Sequence, residues 1–245
     1  NTMTEAVKQK VEKLEDIASE RKVFIDNMTH EMKTPLTSII GFSDLLRSAR
    51  LDDETVHDYA ESIYKEGKYL KSISSKLMDL ILLRQKPEMT EIDVPRLVEE
   101  IDESVRPIAS SRQVAFSAAS VEAKLVCDRE LIKSLLYNLI DNAVKASQPG
   151  TCVTLNAYFT QDGVMEFSVA DQGSGIPKEE LDKIFEPFYR VDKARSRKYG
   201  GAGLGLALCM EIAHAHAATL EIESEVGRGT VIRLRFDGKG KGSVL

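Results

Sequence analysis

Residues 29–36 read THEMKTPL, which sets His30 beside Glu31, places a hydroxyl at Thr34 and follows it with Pro35. An imidazole next to a carboxylate can act as a nucleophile. Glu31 accepts the proton of one ring nitrogen, and the other nitrogen keeps its lone pair. On a helix Thr34 lies one turn beyond His30 and on the same side. HExxT lacks the second histidine of HExxH, which excludes a zinc protease of that kind. Pro35 removes a backbone donor and crowds the Glu31 carbonyl, so the sequence predicts a helix kinked or loosened at the imidazole. A nucleophile needs an electrophile, and nothing near residue 30 supplies one.

Four later stretches do. In LLYNLIDNAVKAS, Asn138, Asn142 and Lys145 are spaced four and three apart, so two amides and an ammonium share one helix face. Such groups suit the oxygens of a phosphate chain and its magnesium. In DQGSGIP, Asp171 ends a strand ahead of Gly173 and Gly175, where a backbone without side chains permits close approach to a ligand. A carboxylate there can accept from the exocyclic amine of a base. KIFEPFYRVD offers apolar Phe185 and Phe188 with Tyr189 and Arg190 after them, and GGAGLGLAL carries Gly201, Gly203, Leu204 and Gly205 into a helix start. Each stretch alone reads equally well as a polar helix face or a glycine turn. No strand directly precedes the last, which disfavours a Rossmann site.

The elements that must position these groups fall into two sets. From Met3 to about Ser48 the chain has only Gly41 and Pro35 as breakers, so one long helix is expected. After a polar link, 49–52, a second helix carries Val56, Ile63, Leu70 and Leu77 at seven-residue intervals. That seam needs the first helix, antiparallel, as its partner. Plotted at roughly 100° per residue, Phe24, Ile25, Met28, Met32, Leu36 and Ile39 share a face, and His30 and Thr34 point away from it. A hairpin has little interior, so a dimeric four-helix bundle is expected. The pattern stops at QKPEMT, residues 85–90. Beyond it helices are expected near 95–110, 129–147, 178–185 and 204–216, with strands near 114–118, 124–127, 153–160, 165–171, 219–223 and 231–236. The predicted organisation is a helical hairpin over 1–86, an α/β domain over 87–237 and a flexible tail over 238–245.

Composition bounds the partners. In 245 residues the net charge is −6, which argues against a nucleic-acid surface. Cys127, Cys152 and Cys209 form no close pair, so neither a zinc site nor a disulfide framework is expected. The longest apolar run, about Leu80 to Leu83, falls far short of the ~20 residues a spanning helix needs. No membrane contact is expected within this chain.

In their order and spacing the five stretches resemble the histidine kinase core of bacterial two-component systems, over roughly residues 20 to 236. THEMKTPL is similar to its H-box, NLIDNAVKA to its N-box, DQGSGIP and GGAGLGLAL to its glycine boxes, and IFEPFYRVD to its F-box. The resemblance implies a dimerising phosphoacceptor hairpin followed by an ATP-binding α/β sandwich of the gyrase, chaperone and kinase type. It implies His30 as phosphoacceptor, Glu31 as its acid–base partner, and Thr34 as the residue orienting water in dephosphorylation of a response regulator. It also implies that Asn142 holds Mg²⁺ with Asn138 beside it, that Lys145 and Arg190 meet phosphates of ATP, and that Asp171 reads adenine. The implied lid covers about Asp192 to Gly201, with Lys193, Arg195, Arg197 and Lys198. Implied partners are a second copy of the chain and a response regulator receiver domain. The implied setting is cytoplasmic, with any sensor or membrane anchor upstream of a chain that begins inside a helix.

Two positions depart from that family. Ala146 stands where an aromatic often lies against adenine, so either Tyr189 substitutes for it or adenine affinity is lower. The usual His-Gly-Gly after the last helix reads His216-Ala217-Ala218, and a tighter or differently shaped turn is expected. His57, His214 and His216 read as structural or surface side chains. An ATP-driven clamp of the gyrase, heat-shock chaperone or MutL type shares the later boxes but has no reactive histidine. A dimeric scaffold that has lost catalysis is the third class. Acid-labile label taken from ATP separates the kinase from both.

Overall fold

The computed structural model describes residues 2–82, 87–191 and 202–236, and the chain divides into two compact units, Asn1–Ser75 and Lys76–Leu245. Helix α1 spans Thr2–Ser48 and α2 spans Asp53–Leu82. Asp52 starts α2 as a cap. Its carboxylate accepts from the Thr55 N–H at 2.7 Å and from the Thr55 hydroxyl at 3.0 Å, and those bonds hold it below the usual carboxylate range. Within the first unit the helices run antiparallel: Phe42 meets Tyr59 with ring centroids 5.1 Å apart, and Glu31 meets Tyr69 further from the turn. α1 continues through Pro35 as one helix, with the Pro35 ring buried. Among the described residues no helix is long and apolar enough to cross a membrane.

The second unit is a sheet covered on one side by helices. Its elements are β1 (Thr90–Asp93), α3 (Val94–Ser111), β2 (Ala115–Ser120), β3 (Lys124–Cys127), α4 (Arg129–Ala146), β4 (Cys152–Phe159), β5 (Met165–Ala170), α5 (Gly205–Ala215), β6 (Thr219–Glu225) and β7 (Gly229–Arg235). The main sheet has five strands in the order β2-β4-β5-β7-β6. Its β2–β4 pair is parallel and the others antiparallel, while β1 and β3 form a separate antiparallel pair. Alternation along β4 buries Val153, Leu155 and Ala157 against α3, α4 and α5, whose buried sides include Ile101, Leu136 and Ile212. Asp93 and Asp128 cap α3 and α4 by accepting from the Arg96 and Leu131 N–H groups.

Two elements differ from expectation. β1 has a single buried side chain, Ile92, too short an alternation to register as a strand. The expected helix over 178–185 is a 3-10 turn at Lys178–Glu180 followed by further turns, with three-residue hydrogen bonds such as Lys183 N–H to the Glu180 carbonyl. Pro187 follows closely and Phe188 adopts φ +69°, so the segment has no room to propagate an α-helix.

His216 ends α5 as more than a surface side chain. Its Nδ1 lies 2.8 Å from the Ile212 carbonyl and its Nε2 accepts the Asp128 N–H at 3.0 Å, which ties α5 to the start of α4. The next turn closes with the Ala218 N–H on the Ala213 carbonyl and the Ala217 N–H on the His214 carbonyl. This is a Schellman turn formed without glycine. Instead Ala217 takes φ +50°, the left-handed conformation that glycine adopts without steric cost. Ala217→Gly should therefore raise unfolding stability by about 1 kcal/mol, the typical cost of a Cβ in that region. Urea denaturation followed by circular dichroism checks it, with the slope m expected to stay constant.

Candidate functional site: an exposed imidazole and a polar cradle

In the first unit the sequence-predicted face holds. His30 and Thr34 are exposed and Glu31 is half-buried. The apolar surface of α1 is wider than α2 covers: Phe24, Met28, Met32 and Ile39 are partly covered, while Ile25, Leu36 and Ile40 are 50%, 51% and 60% exposed. Glu31 accepts from the Tyr69 hydroxyl at 2.7 Å. Hydroxyls along α1 bond back to the preceding turn, Thr29 and Thr37 at 2.8 Å, but Thr34 reaches the His30 carbonyl only at 3.4 Å. That is long for O–H···O, so the Thr34 hydroxyl is weakly held.

In the second unit α4 does two jobs. Ile132, Leu135, Leu136, Leu139, Ile140, Ala143 and Val144 are buried, and Asn138, Asn142 and Lys145 emerge beside them. A Cβ built on Gly205, at the start of α5, would lie 3.2 Å from Asn138 Oδ1, 3.4 Å from Lys76 Nζ and 3.7 Å from Asn142 Nδ2. Two amides, an ammonium and a helix N-terminus thus converge. Lys76, the first residue of the second unit, donates to Asn138 Oδ1 at 2.9 Å. Burial, then repulsion from Lys145, lowers its proton affinity. Sequence reasoning missed Lys76 because nothing local distinguishes it from other helical lysines. Lys145 is turned toward Asp141, with Nζ 2.7 Å from Oδ2.

Asp171 sits by the C-terminal end of the same helix, where its turn meets Ala146. Its Oδ1 accepts the Gly173 N–H at 2.8 Å and its own N–H donates to the Thr230 carbonyl at 2.9 Å. Burial raises its carboxyl above the usual value of 3.8, and the bonds from the backbone at Gly173 and Thr230 oppose the rise. The glycines after it serve the chain itself. A Cβ on Gly173 would stand 2.7 Å from the Ala146 carbonyl oxygen, and one on Gly175, at φ +65°, only 2.1 Å from that of Glu225. Their close approach is backbone to backbone, which clamps the Asp171 turn between α4 and the β6–β7 hairpin.

Gly203 likewise abuts the backbone of Phe188 and Tyr189. The Tyr189 hydroxyl is bonded to Glu180, with Lys183 Nζ 6.0 Å from its ring centre. Arg190 is half-buried, and Leu204 is fully buried, giving its side chain a packing role. Gly201 and the lid cations Lys193, Arg195, Arg197 and Lys198 lie outside the described residues. Cys127 and Cys209 are buried thiols pushed up to about 12, which makes them poor nucleophiles. Among the described residues no cluster of three or more His, Cys, Asp or Glu side chains is placed to hold a metal. Asn138 Oδ1 is taken by Lys76, so of the two amides Asn142 is the better suited to a hard cation that keeps most of its ligands from water and phosphate.

Comparisons with known proteins fall on the same two segments. A model described as His Kinase A (phospho-acceptor) domain matches residues 20–85, and one described as histidine kinase-, DNA gyrase B-, and HSP90-like ATPase matches residues 127–240. The sensor-like histidine kinase SenX3 of Mycolicibacterium smegmatis is 32% identical over 185 residues, covering 74% of this chain and 48% of that protein. The sensor histidine kinase YkoH of Bacillus subtilis is 31% identical over 226 residues, covering 91% and 49%. The chain therefore spans about half the length of these relatives. The solved complex of histidine kinase ThkA with response regulator protein TrrA aligns with a TM-score of 0.71 over 91% of this chain and 65% of that one. At 22% identity this is a likeness of fold.

The Asp171 environment makes a testable demand on stability. A carboxyl raised in the folded state contributes stability below its unfolded value of 3.8 and loses it as pH rises through the folded value. Asp171→Asn keeps an oxygen for the Gly173 N–H and removes the buried charge. The variant should melt at a higher temperature than the parent at pH 7, and the gap should narrow as pH is lowered toward 3.8. Paired thermal melts across that range check both the sign and the pH dependence.

Proposed function

The chain belongs to the histidine kinases, as a catalytic core that joins a phosphoacceptor domain to the family's ATPase domain, and we propose that it phosphorylates itself on His30 from ATP and passes the phosphoryl group to an aspartate of a response regulator. The observation that carries this reading is the exposed imidazole of His30, with Glu31 next to it, inside the matched phosphoacceptor segment. One His30 ring nitrogen attacks the γ-phosphorus, the bond to the β–γ bridging oxygen breaks, and ADP leaves. Glu31 takes the proton from the other nitrogen. In the second unit the N-terminus of α5, Asn138 and Lys76 face the phosphates, with Lys145 beside them, and ionised Asp171 accepts from the adenine amine. Asn142 would hold Mg²⁺, which supplies charge neutralisation at the phosphates. Tyr189, Arg190, Gly201, Gly203 and the lid cations are assigned to the nucleotide on family likeness.

His30→Ala should abolish labelling by radioactive ATP with Mg²⁺ while ATP affinity stays unchanged, and the parent's label should be lost in acid. Label that survives acid, or that persists in His30→Ala, refutes the assignment. The weakly held Thr34 hydroxyl favours a second activity on the same face, dephosphorylation of the regulator through an oriented water. Thr34→Ala should slow that step by ~10²-fold and leave autophosphorylation within a few-fold. A receiver domain that the chain itself has phosphorylated provides the assay, and loss of both activities together would make Thr34 structural.

The exposed Ile25, Leu36 and Ile40 lie within a sector of roughly 60° beside the face α2 covers. We assign that stripe to a second copy of the chain, completing a four-helix bundle. Light scattering at micromolar concentration should give the mass of two chains, and Leu36→Glu should shift it toward one.

A further inference from the structure

We infer that Tyr69 is a positioning residue for the phosphoryl-accepting histidine, acting through Glu31. This inference rests on Glu31 being the proton acceptor proposed above, and it concerns contacts within the first unit alone. The Tyr69 hydroxyl donates to Glu31 Oε2 at 2.7 Å across 38 residues of sequence, joining α2 to α1 one residue from His30. Both side chains are half-buried, and His30 beside them is exposed.

Neighbouring residues on a helix diverge by roughly 100°, so a glutamate does not face the preceding histidine by default. Glu31 must hold a particular arrangement of a three-torsion side chain to meet a ring nitrogen of His30. A long carboxylate side chain surrenders substantial rotamer freedom when fixed. An O–H···O⁻ bond from a phenol on the opposite helix fixes it in advance, and at 2.7 Å this one has the short length of a charge-assisted bond. Tyrosine suits the task because its ring is rigid and half-buried in the hairpin while its hydroxyl remains a donor. The phenol orients the carboxylate that takes the imidazole proton.

The same bond makes the alignment of the two helices part of the catalytic geometry. Tyr69 lies on α2 one position before Leu70 of the heptad seam, so a rotation or slide of α2 against α1 carries the hydroxyl away from Glu31. The reactivity of His30 is thereby tied to hairpin packing without any change at His30 itself.

The test is a double-mutant cycle of Tyr69→Phe and Glu31→Gln in the full chain, reading initial autophosphorylation rates against Mg-ATP concentration. Phenylalanine keeps the ring and its packing, and thermal melts confirm that the fold is intact. Tyr69→Phe should lower kcat about ten-fold, the usual scale for one hydrogen bond to a charged group, with the KM for ATP unchanged. In the Glu31→Gln background it should cause little further loss, because the two residues act as one unit. An unchanged or raised rate in Tyr69→Phe overturns the inference, as does an equal loss in both backgrounds, which marks a merely structural role. If Glu31→Gln alone leaves the rate unaltered, the assignment of Glu31 as proton acceptor fails and this inference falls with it.

Discussion

Burial of one side of α4 is the constraint on which the polar cradle depends. Seven apolar side chains of this 18-residue helix are buried under the sheet, the six larger than alanine each worth ~1.5–3 kcal/mol against exposure, and that fixes the rotation of the helix about its axis. Once the rotation is set, Asn138 and Asn142 have one direction left to point. The same helix is fixed at both ends. At the start, Asp128 caps it and offers its own N–H to His216. At the end, the Ala146 carbonyl receives the Gly173 turn at a distance that admits no side chain. Asp171 is thus registered against the amides by backbone contacts, and its placement does not rely on flexible side chains.

Strong periodicity made most of this legible in the sequence. The two long helices, α3, α4 and every strand of the main sheet follow from apolar spacing and from breakers at their ends. What escaped has physical reasons. β1 carries one buried residue, so it holds no alternation to detect. The 178–185 stretch has helical apolar spacing, yet Pro187 and the positive φ of Phe188 confine it to turns, a case of chain geometry overriding pattern. The glycines of DQGSGIP signal close approach, but the sequence does not say to what. Gly173 and Gly175 approach Ala146 and Glu225 of the chain itself, which nothing local encodes.

Side chains that act across long sequence separations were the least visible. His216 reads as an incidental histidine at a helix end, yet its two ring nitrogens join α5 to α4. Lys76 and Tyr69 sit among ordinary helical residues, and their meaning lies in partners 62 and 38 positions away. Motif spacing detects groups that one helix or one turn brings together. It is blind to groups that only the tertiary fold brings together, and these tend to be the ones that orient a reactive side chain.

The two halves of the proposed chemistry place opposite demands on the fold. His30 and Thr34 stand on a solvated helix face that contributes no packing, so the hairpin can bear them at little energetic cost. Asp171 is a carboxyl taken out of water and held there, with its charged form penalised, by backbone that leaves no room to relax. A nucleophile that must meet a separate partner needs access. A group that reads a base needs a fixed position in a dry setting, where its hydrogen bond does not compete with water. On the proposed roles, the exposure of His30 and the burial of Asp171 match what each group would recognise, and the apolar side of α4 contributes stability that offsets the buried carboxyl.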